Sequence, residues 1–569
     1  GVLNELAGQF AGLSTEKANK AIFDHLKETG ALFAFENINH QYPHCWRCKK
    51  PIIYRATEQW FCSVDAIKDD AIKAIENVHW IPAWGEGRMI NMVRDRSDWC
   101  ISRQRSWGVP IPMFKCNDCG KYVVNDETLD AVGKLFGEKG SDEWFLRTAE
   151  EILPKGFKCP HCGGNHFAKE SDIMDVWFDS GVTHAAVLDT DQCNHSWPAD
   201  LYIEGADQYR GWFQSSLLTS VAWRKTAPYR EVCTHGWVVD GEGKKMSKSV
   251  GNGMLPSEIT DNYGADILRL WVASSDYHSD IRVSKEILKQ LSEVYRKIRN
   301  TARFILSNLY DFNPDTDMVA EDELFEIDRW ALEKMEQLTI KARECYETYE
   351  FFTLYHAVHN FCTVDMSNFY LDILKDRLYC EGAKSTQRRA AQTAIYRILR
   401  DFIMVVAPMI PFTAEEVWEY IPKSSSLDME SVMYNEMPNP DGSDIESELL
   451  AKWSRISDIR YAVNKSLEEA RNEKLVGKSL EAKILLYADG EMYDFLNSVL
   501  ENLTTAFIVS QVEVIKGQGG APSEIEGLGV LVKKADGEKC ERCWAYSHTV
   551  GKDADHPTLC ARCAKTVKE

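Results

Sequence analysis

Cysteine is the residue type whose spacing in this chain most clearly indicates chemistry. Ten of the seventeen cysteines form five C-x-x-C pairs, which are Cys45/Cys48, Cys116/Cys119, Cys159/Cys162, Cys540/Cys543 and Cys560/Cys563. Disulfide frameworks are typical of short secreted chains, whereas this chain has 569 residues and begins with GVLNELAGQF, which lacks the basic and apolar segments of a signal peptide. The pairs therefore predict reduced, metal-binding thiolates in a cytoplasmic protein.

Two sets of these pairs are complete enough to bind zinc. The C-terminal cluster is Cys540, Cys543, Cys560 and Cys563. The inserted cluster is Cys116, Cys119, Cys159 and Cys162, with 39 residues between its two pairs. Four thiolates satisfy tetrahedral Zn²⁺ in a closed structural site, so we expect one or two zinc ions. Cys45 and Cys48 have no second pair that would complete a set of four thiolates. They are either a redox-active pair or half of a metal site that is completed elsewhere.

A second candidate is a basic loop with the sequence KKMSKS, residues 244–249, framed by glycines on both sides. Lysines act as point charges on phosphate oxygens, and a glycine-framed loop can close around a polyphosphate as charge develops. ATP with its Mg²⁺ is the expected ligand. A solvated basic loop is the alternative for such a short motif.

Several strings together resemble the isoleucine–tRNA ligases, a family of class I aminoacyl-tRNA synthetases whose signature loop is KMSKS. The strings are HCWRCKKPIIYRATEQWF (44–61), SDWCISRQRSWGVPIP (97–112), DVWFDSGV (175–182), YIEGADQYRGWFQSSLL (202–218) and KMSKSVGN (245–252). The tail KCERCWAY…LCARC resembles the C-terminal zinc module of the bacterial-type enzyme. The resemblance covers nearly the whole chain.

The resemblance implies ATP-dependent activation of isoleucine to isoleucyl-adenylate and transfer to tRNA(Ile). It implies catalytic roles for Lys245 and Lys248, with Lys248 also binding ATP. It implies an aminoacyl-adenylate pocket lined by Glu204, Asp207, Gln208, Trp212 and Trp177. Tyr209 stands where many relatives have histidine, and we expect it to lie outside the chemistry. A valyl-specific relative, or an inactive zinc-containing RNA-binding protein with a synthetase frame, are the alternatives.

Two parts of the family pattern are missing from the sequence, and one of them is the set of Thr-rich and acidic elements of the editing pocket. None of the fourteen histidines forms the H-x-G-H element that binds ATP in class I enzymes. We therefore expect the chain to correspond to the C-terminal three-fifths of the family's enzyme, and to be inactive in adenylate formation by itself. The complete enzyme is expected to be a monomer.

Residue patterning predicts the elements that position these residues: the fold class is α/β, followed by a helical part, a small α/β part and a short cysteine-rich tail. The resemblance implies that these are the second half of a Rossmann-like catalytic domain, a helical anticodon-binding domain, a small α/β domain and a zinc module. The expected segments are an editing-insertion exit (1–58, helical to about 40), a catalytic half with zinc-ribbon insertion 113–168 and loop 245–249 (59–285), a helical domain (286–443), an α/β domain (444–535) and a zinc module (536–569). Within 444–535 we expect a helix near 446–473, a strand near 480–487, a helix near 491–501 and a strand near 505–515.

The net charge of the chain limits the kinds of nucleic-acid partner that are expected. The formal net charge of −21 excludes a generally basic nucleic-acid coat, and no DNA partner is expected. Residues 285–303 nevertheless carry six Lys or Arg against two Glu, and Arg388, Arg389, Arg397 and Arg400 form a second basic set. Such faces can hold RNA phosphates, or they can be ordinary solvated helix surfaces. Trp544, Tyr546 and Arg542 beside the C-terminal cluster either contact RNA or pack its small core. No apolar run is long enough for a membrane span.

Overall fold

The computed structural model describes residues 1–45, 48–247, 251–443 and 445–568. The chain divides into two compact units, Gly1–Cys233 and Thr234–Glu569. The predicted fold class is confirmed, with an α/β part followed by helices, a small α/β sheet and a cysteine-rich tail. Within the described part of the chain, every helix is too short or too polar to span a bilayer.

The first unit is built on a three-stranded sheet. Its central strand, Tyr229–His235, lies between His79–Ile81 and Ala199–Gly205. The central strand runs parallel to His79–Ile81, with Val232 opposite Trp80. The helices of this unit are Thr15–Glu28, Lys68–Ile75, Trp84–Arg94, Asp126–Lys139, Glu143–Leu146, Ala149–Ile152, Val176–Gly181 and Trp212–Arg224.

Helix Trp212–Arg224 forms the centre of this unit's core. Its sequence has apolar or small residues on every side, which is the pattern of a fully buried helix. Phe213, Leu217 and Val221 are completely buried, and the helix packs against Val176–Gly181. This packing fixes the helix whose first turn carries Trp212.

The zinc-ribbon insertion forms a small sheet of its own. Strand Phe114–Cys116 pairs antiparallel with Tyr122–Val123 on one side and with Phe167–Lys169 on the other. Phe114 packs against the buried Trp144, so the insertion has its own apolar core. The remaining strands of the unit form two short antiparallel pairs, which are Phe61–Cys62 with Trp99–Cys100 and Ser102–Arg103 with Ile173–Met174.

The N-terminal segment is only partly helical. Helix Thr15–Glu28 and a short 3-10 helix, Glu5–Phe10, confirm the prediction for part of residues 1–40. Residues 29–43 have no regular structure, and Phe33 and Phe35 are exposed. The expected helix does not continue because Gly30 has a positive φ of 70°.

The second unit begins with two short parallel strands, Val238–Val239 and Ile281–Arg282, and then becomes helical. Its long helix Lys285–Ser307 is amphipathic, with Leu291, Ile298 and Ile305 buried. The other helices up to residue 420 are Pro256–Tyr263, Ala265–Ala273, Pro314–Asp317, Glu326–Glu347, Phe351–Asn360, Leu371–Cys380, Thr386–Val406 and Pro411–Tyr420. A π-helical segment, Phe361–Tyr370, joins two of them.

The small α/β part is close to its prediction. Helix Ser447–Asn472 packs on a four-stranded sheet of Gln511–Lys516, Ala482–Ala488, Leu528–Lys534 and Ala521–Pro522, in that order. Two helices, Gly490–Ser498 and Leu500–Phe507, replace the single predicted helix because the backbone breaks at Val499. The second helix delays the next strand to Gln511. The tail has strands Glu538–Lys539 and Tyr546–Ser547 and helix Ala561–Lys568.

Candidate functional site

The C-x-x-C pairs share one turn geometry. In all five the residue after the second cysteine donates its backbone N–H to the carbonyl of the first cysteine, over 2.8 or 2.9 Å. In four pairs that residue has a left-handed φ, and the four are Lys49 (60°), Gly120 (73°), Gly163 (76°) and Trp544 (64°). In the fifth pair the donor is Ala564, within helix Ala561–Lys568. The turn points both thiols of a pair to the same side, as a metal site requires.

The inserted cluster brings its four thiols together. Its sulfur atoms lie within 4.8 Å of one another, with 3.7 Å between Cys116 and Cys162 and 3.8 Å between Cys119 and Cys159. Zn–S bonds of about 2.3 Å in a tetrahedron place sulfur atoms about 3.8 Å apart. The spacing therefore fits Zn²⁺ and is far longer than a disulfide bond. Asp118 supports this turn by accepting a hydrogen bond from the backbone N–H of His166 at 3.4 Å.

The C-terminal cluster meets the same test. Its four sulfur atoms also lie within 4.8 Å of one another, with 3.9 Å between Cys543 and Cys560. Burial raises the pKa of the Cys540 thiol, but the backbone N–H groups of Cys543 and Cys560 outweigh it and lower that pKa to about 6. A thiolate at neutral pH is the form that binds zinc. With four thiolates and no open position, both clusters would hold a structural ion that supplies folding energy.

Cys45 and Cys48 adopt the same turn, with Lys49 donating to the Cys45 carbonyl at 2.8 Å. Among the described residues, which omit the intervening Trp46 and Arg47, no third His, Cys, Asp or Glu joins them in a metal-sized group. The half-site stays a prediction.

The zinc module is tied to the helical domain. Arg562 forms a bidentate pair with Asp376, at 2.6 and 2.8 Å, and these hydrogen bonds raise the pKa of its guanidinium. Arg542 donates to the carbonyl of Cys380 at 3.1 Å. Of the three residues predicted either to contact RNA or to pack the module, Arg542 therefore has a structural partner within the chain.

Trp544, unlike Arg542, has a side chain that is largely exposed. Its side chain is 54% exposed, although its backbone occupies the left-handed region that favours glycine. The Lys478 and Lys539 ammonium groups lie 5.1 and 5.9 Å from the ring centroid. An exposed indole between two lysines is a surface that suits a stacked nucleobase and its phosphate.

The predicted adenylate residues lie where strand Ala199–Gly205 leads into helix Trp212–Arg224. Glu204 and Asp207 are exposed, and Gln208 and Trp212 are half-buried. Gln208 accepts a hydrogen bond from the backbone N–H of Trp212 at 2.9 Å, so its amide is held at the start of the helix. The indole of Trp212 stacks on Tyr202 with centroids 4.0 Å apart and donates to the carbonyl of Ser180 at 3.0 Å.

Trp177 joins this group at Gly211. A Cβ on Gly211 would lie 2.9 Å from the Trp177 ring and would also collide with Gln208, so only glycine fits between them. Trp177 is 41% exposed and helps to line a cavity of about 730 Å³. The structure thus brings together Trp177, Gln208 and Trp212 at Gly211, and their role in an adenylate pocket stays a prediction.

The cavity has polar walls that sequence reasoning missed. The buried Asp175 accepts hydrogen bonds from Trp99 and from Arg103, each at 3.0 Å, and also caps the helix that carries Trp177. The buried Gln214 accepts from Arg96. The signal for Asp175 was its place two residues before Trp177, in the N-cap position of a short helix.

Tyr209 lies outside this site, as predicted. It is fully buried, stacks on Trp80 with centroids 5.9 Å apart, and its hydroxyl occupies the space that a side chain on Gly85 would need. Its role is to pack the core.

The basic loop belongs to the second unit. Lys245 is exposed and forms an isolated β-bridge with Val239. Lys244 pairs with Glu242 at 2.7 Å. The predicted Lys248 lies outside the described residues.

The two basic sets differ in the structure. On helix Lys285–Ser307, the exposed basic residues are Lys285, Lys289, Arg296, Lys297 and Arg303. By contrast, Arg388 is buried and forms two hydrogen bonds with Asp311, at 2.6 and 2.9 Å. The prediction that Arg388 belongs to a phosphate-binding face is therefore wrong, because its charge is neutralised inside the helical domain.

The sequence of this chain matches three family models and is similar to named relatives. The chain matches three family models: "tRNA synthetases class I (I, L, M and V)" over residues 8–284, "Anticodon-binding domain of tRNA ligase" over 328–486 and "Zinc finger found in FPG and IleRS" over 537–566. A protein named isoleucine–tRNA ligase from Caldanaerobacter subterraneus subsp. tengcongensis is 54% identical over all of this chain and 61% of its own length. One from Moorella thermoacetica is 52% identical over all of this chain and 62% of its own length.

Solved structures resemble the chain more distantly. Mycobacterium tuberculosis methionyl-tRNA synthetase bound to methionyl-adenylate overlaps 70% of this chain and 69% of its own, with 17% identity and a TM-score of 0.49. The sequence relatives are much closer, and the chain spans about three-fifths of their length. The three family models follow one another in order along the chain, which is similar to class I tRNA synthetases over residues 8–284 and matches part of an isoleucine–tRNA ligase in sequence.

Proposed function

We propose that this chain carries the adenylate-binding, KMSKS, anticodon-binding and zinc-binding parts of an isoleucine–tRNA ligase. The complete enzyme activates isoleucine with ATP and transfers it to tRNA(Ile). The observation that supports this most directly is the convergence of Trp177, Gln208 and Trp212 around Gly211, in a chain 54% identical to proteins of that name.

The chemistry of this convergence suits an aminoacyl-adenylate. Two indoles offer flat apolar walls for a branched aliphatic side chain. The carboxylates of Glu204 and Asp207 are exposed at the strand end, where they can accept hydrogen bonds from an ammonium group or ribose hydroxyls. The Lys245 ammonium is a candidate to stabilise pyrophosphate as it leaves ATP, since it meets charge that develops only in the transition state.

We propose that RNA binds to the second unit. The exposed lysines and arginines of helix Lys285–Ser307 can contact phosphates without reading sequence. Trp544 adds a stacking surface. Trp544 lies in the region that the zinc-finger model matches, and the helix lies between the regions that the class I synthetase and anticodon-binding models match. The unoxidised thiols that both zinc clusters require support a cytoplasmic location.

Two alternatives make different predictions. A valine enzyme would have the same pocket walls. Isoleucine and valine differ by one methylene, which changes side-chain binding by only about 1–3 kcal/mol. An inactive RNA-binding protein would keep Trp544 and the basic helix and lose any need for the pocket. The presence of Gly211 between two large side chains favours an active site over the second alternative, because a decayed site has no reason to retain it.

The test is reconstitution. This chain is mixed with the separately expressed part of the Caldanaerobacter relative that it does not cover, and isoleucine-dependent exchange of pyrophosphate into ATP is measured. We expect exchange in the mixture and none from this chain alone, since the sequence contains no H-x-G-H element. Exchange with valine in preference to isoleucine would favour the valine enzyme, and tRNA binding without any exchange would favour the inactive protein.

A matched pair of variants tests the pocket. Trp177→Ala should lower exchange, because it removes one apolar wall. Trp223→Ala should leave it unchanged, because Trp223 is also an exposed tryptophan but lies at the far end of the helix that begins with Trp212. Equal effects of the two substitutions would contradict the assignment of the pocket.

A further inference from the structure

Asp240 and Asn252 connect the two ends of the KMSKS segment. Asp240 follows strand Val238–Val239 directly, and Asn252 lies beyond the motif. The Asn252 side-chain amide donates to the Asp240 carboxylate at 2.8 Å. The same carboxylate accepts the backbone N–H groups of Glu242 at 3.0 Å and Lys244 at 2.8 Å. These hydrogen bonds from Asn252 and Lys244 lower the pKa of Asp240, so it is ionised at neutral pH.

Asn252 also holds the backbone of the motif itself. Its amide nitrogen donates to the carbonyl of Lys245 at 3.2 Å, and its Oδ1 accepts from the backbone N–H of Ser247 at 3.0 Å. The side chain therefore binds the peptide groups on both sides of Met246. Lys245 is fixed from the other direction by its bridge to Val239.

The orientation of the Asn252 amide is determined by its partners. Reversing the amide would point its oxygen at the Asp240 carboxylate and its NH₂ group at the Ser247 N–H. Both contacts would be repulsive. A side chain with a donor on one side and an acceptor on the other is required at this position, and glutamate, aspartate and alanine lack that combination.

We propose that Asp240 and Asn252 are a positioning pair for Lys245, which set the place of its backbone against strand Val238–Val239 for the activation step. This inference rests on the proposed function, since it assigns to that reaction a pair of residues that contact neither substrate. Asp240 acts as the anchor because three hydrogen bonds converge on it, and Asn252 transmits its position to Lys245.

The test exchanges the two side chains. Asn252→Asp places two carboxylates in contact and should lower the kcat of isoleucine-dependent pyrophosphate exchange about 10²-fold in the reconstituted mixture, since a displacement of about 1 Å has effects of that size. The KM for isoleucine should not change. The double variant Asp240→Asn/Asn252→Asp restores the hydrogen bond between the two side chains but not the one that Asn252 donates to the Lys245 carbonyl, so it should recover only part of the activity. Glu242→Gln, an exposed neighbour outside the pair, should behave as wild type.

A second measurement needs no activity. Amide hydrogen exchange over residues 240–247 of this chain should be faster in Asn252→Asp than in wild type and should return part of the way to the wild-type rate in the double variant. Unchanged amide exchange in Asn252→Asp, or a double variant as impaired as the single one in both assays, would overturn the inference. An inactive wild-type mixture would contradict the proposed function, and the amide measurement would then decide the positioning role by itself.

Discussion

Replacing Trp544 with glycine separates a functional role of this side chain from a structural one. Trp544 has a φ of 64°, where a residue with a Cβ costs about 1–2 kcal/mol and glycine does not. Glycine also removes the contacts of the indole with Lys478 and Lys539, which are worth about 0.5–1 kcal/mol each at exposed sites. The two terms nearly cancel. The free energy of unfolding of Trp544→Gly should therefore stay within about 1 kcal/mol of wild type.

Binding of tRNA should respond quite differently. A base stacked on an aromatic side chain contributes about 1–3 kcal/mol, so its loss should raise the Kd about 5- to 150-fold. The slope of log Kd against log salt concentration should not change, because the substitution removes no positive charge. A Lys289→Ala variant on the basic helix should show the converse, with a smaller loss of affinity and a salt slope reduced by about one.

The assay is fluorescence anisotropy with labelled tRNA(Ile) at several salt concentrations, with zinc content measured on the same samples. Trp544→Phe should retain most of the affinity because it keeps an aromatic face. Tyr461→Ala, at another exposed aromatic residue, is the matched control. An unchanged Kd for Trp544→Gly with zinc intact would refute the stacking role. A weaker Kd that appears only together with zinc loss would show that Trp544 acts through the fold of the module.

Three further predictions concern the metal and the two cores. Elemental analysis should find two zinc ions per chain, falling to one in Cys560→Ser and to one in Cys116→Ser, because the two clusters have separate ligands. An unchanged zinc content in both variants would contradict two sites. Arg377→Met should lower the free energy of unfolding by about 3–5 kcal/mol in a denaturant titration, since it leaves the fully buried Asp328 carboxylate without its cation; a loss below 1 kcal/mol would show that the pair is hydrated. Burial lowers the pKa of His184 to about 4 from an unfolded value of 6.5, so the unfolded state binds more protons between those values. The stability that neutral His184 contributes is complete above pH 6.5 and is lost as the pH falls towards 4, and His184→Gln should reduce this dependence in thermal unfolding measured from pH 7 to pH 4.

Much of the local architecture could be predicted because it depends on short spacings. Two residues between cysteines allow both thiols to face one side of a tight turn, and the turn is present in the pairs at Cys45, Cys116, Cys159 and Cys540. The amphipathic period of helix Lys285–Ser307 likewise determined which of its residues are buried. In both cases the covalent chain alone limits the geometry, and the spacing is sufficient to infer it.

The helix break near Val499 shows where local patterns stop being informative. Both Gly490–Ser498 and Leu500–Phe507 have helical periodicity, and the sequence contains no proline or glycine between them. The break follows from packing of both helices against the same sheet, which a single straight helix could not achieve.

The sequence by itself predicted the two sets of four cysteines that the fold brings together and the order of the matching family models along the chain. The tertiary structure alone decided which charged residues are available to a partner. Arg388 and Lys289 are both basic residues on amphipathic helices, yet Arg388 is buried against Asp311, 77 positions away, and Lys289 faces solvent. It also decided that Asn252 holds Lys245 and that Trp544 is exposed despite its strained backbone. The physical reason is that ligand spacing is a property of the covalent chain, whereas burial and hydrogen-bond partners depend on segments that meet only after the chain has folded.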